Sequence, residues 1–194
     1  MIAHLQKYLA RQRSRDALRI ILGAGGTRYP GWHSTDRDTL DLLVREDFAG
    51  RWTPGTREAF LAEHVWEHLP VAVARQAAVH CQEFLRPGGW LRIAVPDALN
   101  PDPAYREYAR PGGSGAGADD HQAFYSHRSL SALLESAGFQ VRALEYWDEA
   151  GTFHAEDWRS EDGHVVRSRR FDPRNQNGRL GYTSLIVDGI KPQL

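Results

Sequence analysis

The stretch Arg19–Asp36 reads R-I-I-L-G-A-G-G-T-R-Y-P-G-W-H-S-T-D. The apolar run Leu18–Leu22 has strand character and breaks at Gly23, Gly25 and Gly26. Glycine lacks a Cβ and tolerates positive φ, so such a turn lets backbone approach a ligand closely. Trp32–Asp36 is expected to form a brief second strand ending in an acid, and an acid there can accept hydrogen bonds from a ribose diol. The same letters also suit an ordinary glycine turn, since a short glycine cluster is a weak motif. The Gly26–Gly31 link contains Pro30. Parallel strands normally need a dozen or more residues between them, so the first crossover is expected to be shortened to a loop. A nicotinamide-dinucleotide fingerprint would need glycine at position 28, which is Arg28.

Working outward, apolar Leu40–Val44 leads to R-E-D-F and predicts a short helix, then a loop or short strand carrying Asp47. Ala59–Ala62 predicts a third strand, running into E-H-V-W-E-H. Pro70 suits a helix start, Val71–Leu85 has helical periodicity, and Arg86–Gly89 would stop it. Trp90–Val95 is a strong strand closed by Pro96 and Asp97. A short helix is expected over Pro101–Ala109, and P-G-G-S-G-A-G-A at Pro111–Ala118 reads as a flexible loop. Ser126 is a good N-cap for a helix over His127–Ala137, with a strand over Phe139–Trp147 after it. Asp148–Gly181 is polar and irregular, with a hairpin expected around His164–Phe171, before a last strand at Tyr182–Asp188. Residues 2–15 have the spacing of a short amphipathic helix. Alternating strands and helices predict an α/β fold with a mostly parallel sheet covered by helices on both faces.

The 194 residues are expected to form a single domain, residues 1–194. Apolar residues make up 41% and charged residues 25%, as expected of an ordinary soluble globular protein. A net charge of -1 weighs against a chain built to bind nucleic acid. Cys81 stands alone, which excludes an internal disulfide and a Cys-rich zinc site. With no apolar run of membrane-span length and no signal-peptide core near Met1, a cytoplasmic protein is expected.

His64-Val65-Trp66-Glu67-His68 is the most chemically loaded segment. On a helical turn, His64, Glu67 and His68 would share one face. Two imidazoles and a carboxylate can bind a divalent metal, and His121 beyond the glycine-rich loop could complete the set. Any of His64, His68 and His121 could instead serve as a general base without metal. A purely structural role, capping and bonding neighbouring loops, is the third reading. The letters also fit the H-x-x-E-H zinc-peptidase pattern, but that pattern needs a long helix and Pro70 interrupts it.

In order and spacing, L-G-A-G-G, G-W-H-S-T-D, E-H-V-W-E-H-L, L-R-P-G-G-W-L-R-I-A-V-P-D and Y-T-S-L-I-V resemble the class I S-adenosylmethionine-dependent methyltransferases, in particular a small bacterial branch. The resemblance covers about Leu18 to Pro192. It implies a Rossmann-like sheet of about seven strands with the last antiparallel. It also implies that Gly23, Ala24 and Gly25 pack against the amino acid part of S-adenosyl-L-methionine. Asp36 would hold the ribose with Arg37 beside the adenine, Asp47 and Phe48 would lie near the adenine edge, and Glu63 and His64 would face the methionine portion. The chain departs from the common pattern at Ile21, where an acid is usual, and in the displaced third glycine. The histidine–glutamate cluster resembles the E-x-x-E-H metal site, completed by a later histidine, of small-RNA 2'-O-methyltransferases and ubiquinone-pathway O-methyltransferases, with His64 replacing the first glutamate.

The expected activity is methyl transfer to an oxygen or nitrogen of a small polar or sugar-like acceptor. Residues 148–181 are read as an inserted substrate lid, where His154, Trp158, Arg159, Arg167, Arg169, Arg170, Arg174 and Asn175 stand. Arginines there can clamp a carboxylate or phosphate, or pair with Asp157, Glu161, Asp162 and Asp172 on a solvated hairpin. The alternatives are a non-catalytic cofactor-binding or partner module and a metal-assisted RNA 2'-O-methyltransferase. Oligomeric state is not legible.

Overall fold

The computed structural model describes residues 17–193, so the helix expected over residues 2–15 lies outside the described residues. Its apolar segments form β1 (Arg19–Leu22), β2 (Trp32–Ser34), β3 (Arg57–Glu63), β4 (Leu85–Pro96), β5 (Gln140–Trp147), β6 (Phe153–Ala155) and β7 (Ser184–Ile190). They make one seven-stranded sheet in the order β2-β1-β3-β4-β7-β5-β6. β2, β1, β3 and β4 run parallel, in a register that sets Ile20 beside His33 and Phe60, and Ala62 beside Ile93. The last strand, β7, is antiparallel to both β4 and β5, as the resemblance implied. β6 adds a further antiparallel edge. No helix connects β1 to β2, so the first crossover is the expected short loop.

The helices are α1 (Arg45–Ala49), α2 (Val71–Phe84), α3 (Pro103–Ala109) and α4 (His127–Ser136). In α2, Ala74, Ala77, Ala78, Cys81 and Phe84 are buried, the three-and-four spacing of one helix face. α4 starts on a capping box, with Ser126 Oγ accepting from Ser129 N and Ser129 Oγ accepting from Ser126 N. α1 begins just after the apolar run Leu40–Val44, which was expected to be helical. That run is instead a series of turns burying Leu40 and Leu42, and Asp47 lies on the helix rather than in a loop after it. α2 ends one residue before Leu85, which already belongs to β4. Arg86–Gly89 therefore lies inside a strand with a register shift opposite Arg57 and Ala59. A Cβ at Gly89 would meet Glu58 O at 2.8 Å, so only glycine lets the two backbones close there.

Two apolar layers sandwich the sheet. On one side Ile20, Leu22, Phe60, Leu91, Ile93, Leu185 and Val187 pack with Phe48 of α1, the buried face of α2, and Leu130 and Leu134 of α4. On the other, Ile21, Leu61, Ala94, Leu144 and Ile186 pack against Ala24 of the glycine loop and Trp158, Val165 and Phe171 of the insert. Helices were expected on both faces. Among the described residues the second face is covered by these loops, while α3 stands at the sheet's end with Tyr105 and Ala109 against Tyr182.

The insert is thus a layer of the core. It joins the sheet through β6 and then runs as turns with a single 3-10 turn at Ser160–Asp162, without the hairpin expected around His164–Phe171. Buried side chains satisfy its backbone where a partner strand would have done so. Glu145, 1% exposed, accepts from Trp158 Nε1 at 2.9 Å and Arg169 N at 2.7 Å. Arg92 holds Asp188 through two bonds of 2.8 and 2.7 Å, donates to Gly163 O and lies 4.9 Å from the Trp158 ring. Asp97 closes β4, its carboxylate accepting from Leu99 N and Trp147 N, and burial pushes its pKa up to about 6. No helix among the described residues is long and apolar enough to cross a membrane.

Candidate functional site

In parallel sheets, ligands bind beyond the carboxyl ends of the strands. At that edge β1 delivers Gly23, β3 delivers His64 and β4 delivers Asp97, while antiparallel β7 begins there at Ser184.

The Asp36 position follows from backbone bonding. Thr35 donates both N and Oγ1 to Ile21 O, and Ala24 N donates to Thr35 O, so the end of β2 is tied to the glycine loop. Asp36 Oδ1 then accepts from Gly25 N at 2.8 Å. Gly23 has φ +57°, and a Cβ there would meet Val65 Cγ2 at 2.6 Å. The glycine is required both by its backbone and by the side chain facing it.

His64 also adopts φ 56°, the left-handed region that a residue with a Cβ seldom enters. Its N–H extends the sheet ladder to Ala94 O at 2.8 Å, after which the chain turns into the 3-10 turn Trp66–His68. His64 therefore lies outside the helical turn that would have set it on one face with Glu67 and His68. Its Nδ1 nevertheless stands 2.8 Å from Glu67 Oε1, and its Nε2 lies 3.2 Å from Ser184 Oγ. The first contact is out of line for a hydrogen bond, so neither oxygen of Glu67, 1% exposed, accepts one.

Glu67, His68 and His121 offer ligand atoms within 4.8 Å of one another, and His64 falls outside this group. His121 Nδ1 bonds Ala109 O at 2.8 Å, which fixes the ring and leaves Nε2 for the site. His68 Nδ1 is buried without a hydrogen bond, with Asp120 Oδ2 at 3.2 Å out of line. The two imidazoles meet edge to face at 4.8 Å.

Three cavities converge on His64. The first, about 400 Å³, is lined by Gly23, Asp36, Arg37, Leu42 and Val65, among others. The second, about 350 Å³, runs along Gly23, Ala24, Gly25, Thr27 and Tyr29 to Glu63 and Arg167. The third, about 330 Å³, is lined by Glu67, His68, His121, Arg167, Arg174 and Tyr182. Desolvation pushes the Tyr29 and Tyr182 hydroxyls up to about 12, so both stay protonated.

The expected residues sort accordingly. Gly23, Ala24, Gly25, Asp36, Arg37, Glu63 and His64 line the cleft. Glu63 does so while its carboxylate accepts from Val166 N and Arg167 N, fastening the insert to β3. Asp47 and Phe48 do not line it. Phe48 is wholly buried against Trp52, Phe60 and Phe84, and Asp47 Oδ2 braces Asp41 N. Leu42, Val65, Tyr29, Tyr182 and Ser184 were not singled out from the sequence. An apolar residue after a strand carries no signal of the cavity it will line.

A family model described as a methyltransferase domain matches residues 55–144. A search of curated proteins gives no match. Among solved structures, a SAM-dependent methyltransferase from Archaeoglobus fulgidus is similar over 97% of this chain and 92% of its own, with TM-score 0.52 and 14% identity. A SAM-dependent methyltransferase from Thermotoga maritima gives TM-score 0.52 at 13% identity over 97% and 95%. An O-methyltransferase family protein from Burkholderia thailandensis gives 0.53 at 12% identity over 99% of this chain and 57% of that one. The chain shares the α/β fold of these S-adenosylmethionine-dependent methyltransferases.

Proposed function

We propose that this protein transfers the methyl group of S-adenosyl-L-methionine to an oxygen or nitrogen of a small polar acceptor. The convergence of three cavities on His64, one of them carrying both Gly23 and Asp36, supports this reading most strongly. S-adenosylmethionine supplies an electrophilic methyl on a sulfonium. Asp36 would bind the ribose diol, its Oδ1 already fixed by Gly25 N. Leu42 and Val65 offer an apolar slot for the base, with Arg37 at its rim. At Gly25 a Cβ would meet nothing within 4 Å, so the open edge of the glycine loop lets the chain of the donor pass close to its backbone. The acceptor would occupy the third cavity, so His64 borders both reactants and is our candidate general base, with His68 and His121 beside it. Holding two reactants in line can supply much of a rate enhancement.

Glu67, His68 and His121 fit a divalent cation. A buried carboxylate without hydrogen bonds and two converging imidazole nitrogens form a donor set for zinc and similar ions. A cation held there would supply positive charge to an acceptor hydroxyl.

The test is isothermal titration with S-adenosylmethionine and S-adenosylhomocysteine after metal analysis, with Asp36→Ala alongside. Micromolar binding is expected, weakened in the variant by about tenfold or more, the scale of a lost hydrogen bond to a charged group. Folded protein giving neither heat nor thermal shift with either nucleoside would overturn the reading.

A further inference from the structure

We infer that the acceptor carries an anionic group, a carboxylate or phosphate, bound by Arg167 and Arg174 in the third cavity. This rests on the transferase reading and narrows its acceptor.

Not all insert arginines face the cleft. Arg170 lies on Phe171 at 4.4 Å and Trp158 at 5.1 Å, and Arg159 stands 3.9 Å from Glu161. Arg167 and Arg174 line the cavity that holds Glu67, His68 and His121. Arg174 is pre-organised: Nε and Nη2 grip buried Asp172 at 2.8 and 2.7 Å, and the guanidinium lies 3.9 Å from the Tyr182 ring. Its Nη1 edge remains for a ligand, and Asp172 is a positioning residue. Arg167 is fixed at its root, donating N–H to Glu63 Oε1 at 2.8 Å and accepting from Ser184 N at 3.1 Å. Its guanidinium forms no ion pair with a carboxylate among the described residues.

The acids facing this cavity already have neighbours. Asp172 holds Arg174, Glu67 lies against His64 Nδ1, and Asp120 stands beside His68. A guanidinium without an ion pair of its own beside a half-engaged one is a fork-shaped receptor for a planar or tetrahedral oxyanion. Arg167 also borders the second cavity, so the anion it meets has two sources: the acceptor, or the carboxylate of the methyl donor. The engagement of Arg174, which lines the third cavity and not the second, favours the acceptor.

The experiment titrates inorganic phosphate and acetate into protein saturated with S-adenosylhomocysteine, in EDTA so that no bound cation reports, following the arginine Nε–H signals by NMR. R167Q and R174Q are run in parallel, and binding of S-adenosylhomocysteine and of methylthioadenosine, which lacks the amino acid, is measured for each. Saturable anion binding that weakens about tenfold in each variant, with both nucleoside affinities unchanged, is the expected result. If R167Q weakens S-adenosylhomocysteine but not methylthioadenosine, the arginine serves the donor and the proposal is overturned. Anion binding that is absent, or unaltered in the variants, overturns it too. Failure of the wild type to bind either nucleoside overturns the transferase reading itself, whatever the anions do.

Discussion

On the β1 side the cleft is built around backbone, with a glycine turn of φ +57° at Gly23 and an acid held by Gly25 N, flanked by apolar Leu42 and Val65. On the opposite side the surface is charged side chains anchored on carboxylates, with Glu63 and Glu145 accepting four bonds from the insert. The first wall gains closeness at its glycine turn, where Gly25 has no side chain to move. The second gains shape by having its backbone bonds satisfied from beneath. Backbone suits a ligand part that never varies, and side chains suit one that does.

Removing the foundation of the insert wall should have the largest effect. Asp188→Ala leaves the Arg92 guanidinium buried without its partner, and losing one member of a buried pair costs about 3–5 kcal/mol. Urea unfolding at neutral pH would read this; a loss below about 1 kcal/mol would mean the pair contributes little to the layer. Next is Glu145→Gln, which turns an amide N–H toward a donor that had met a carboxylate oxygen, at a cost of about 1–3 kcal/mol. Trypsin should then cut sooner at Arg167, Arg169 and Arg170, with the affinity for S-adenosylhomocysteine little changed. Gly23→Ala should show the converse. Its stability cost is about 1–3 kcal/mol from the strained φ, and nucleoside affinity falls about tenfold or more. Its tryptic pattern in the insert should match the wild type. If both variants moved both readouts together, the two walls would be one cooperative unit.

The sequence made the first wall legible and the second only partly so. Gly23, Gly25 and Asp36 are recognisable because glycine and a lone acid after a strand have few other reasons to stand together. Glu67, His68 and His121 converge through a turn and a loop bond, Gln122 N to Glu67 O at 2.6 Å, that no spacing rule states. Asp47 and Phe48 show the reverse: a helix beginning at Arg45 turned Phe48 into the core, and periodicity over five residues is too short to place. The insert's polar letters concealed a core layer. Its apolar anchors, Trp158, Val165 and Phe171, are spaced by turns and follow neither a helix nor a strand period.

Because the piece of chain that lines the third cavity also covers one face of the sheet, altering the proposed acceptor site is tied to remaining folded. On the proposed reading, a descendant exploring new acceptors can vary Arg167, whose guanidinium holds no carboxylate among the described residues, or Arg174, whose Nη1 edge is free of Asp172. It cannot exchange the whole segment as a cassette without supplying new cover for Ile21, Leu61, Ala94 and Ile186. Specificity in this lineage is therefore expected to drift by single side chains rather than by loop replacement.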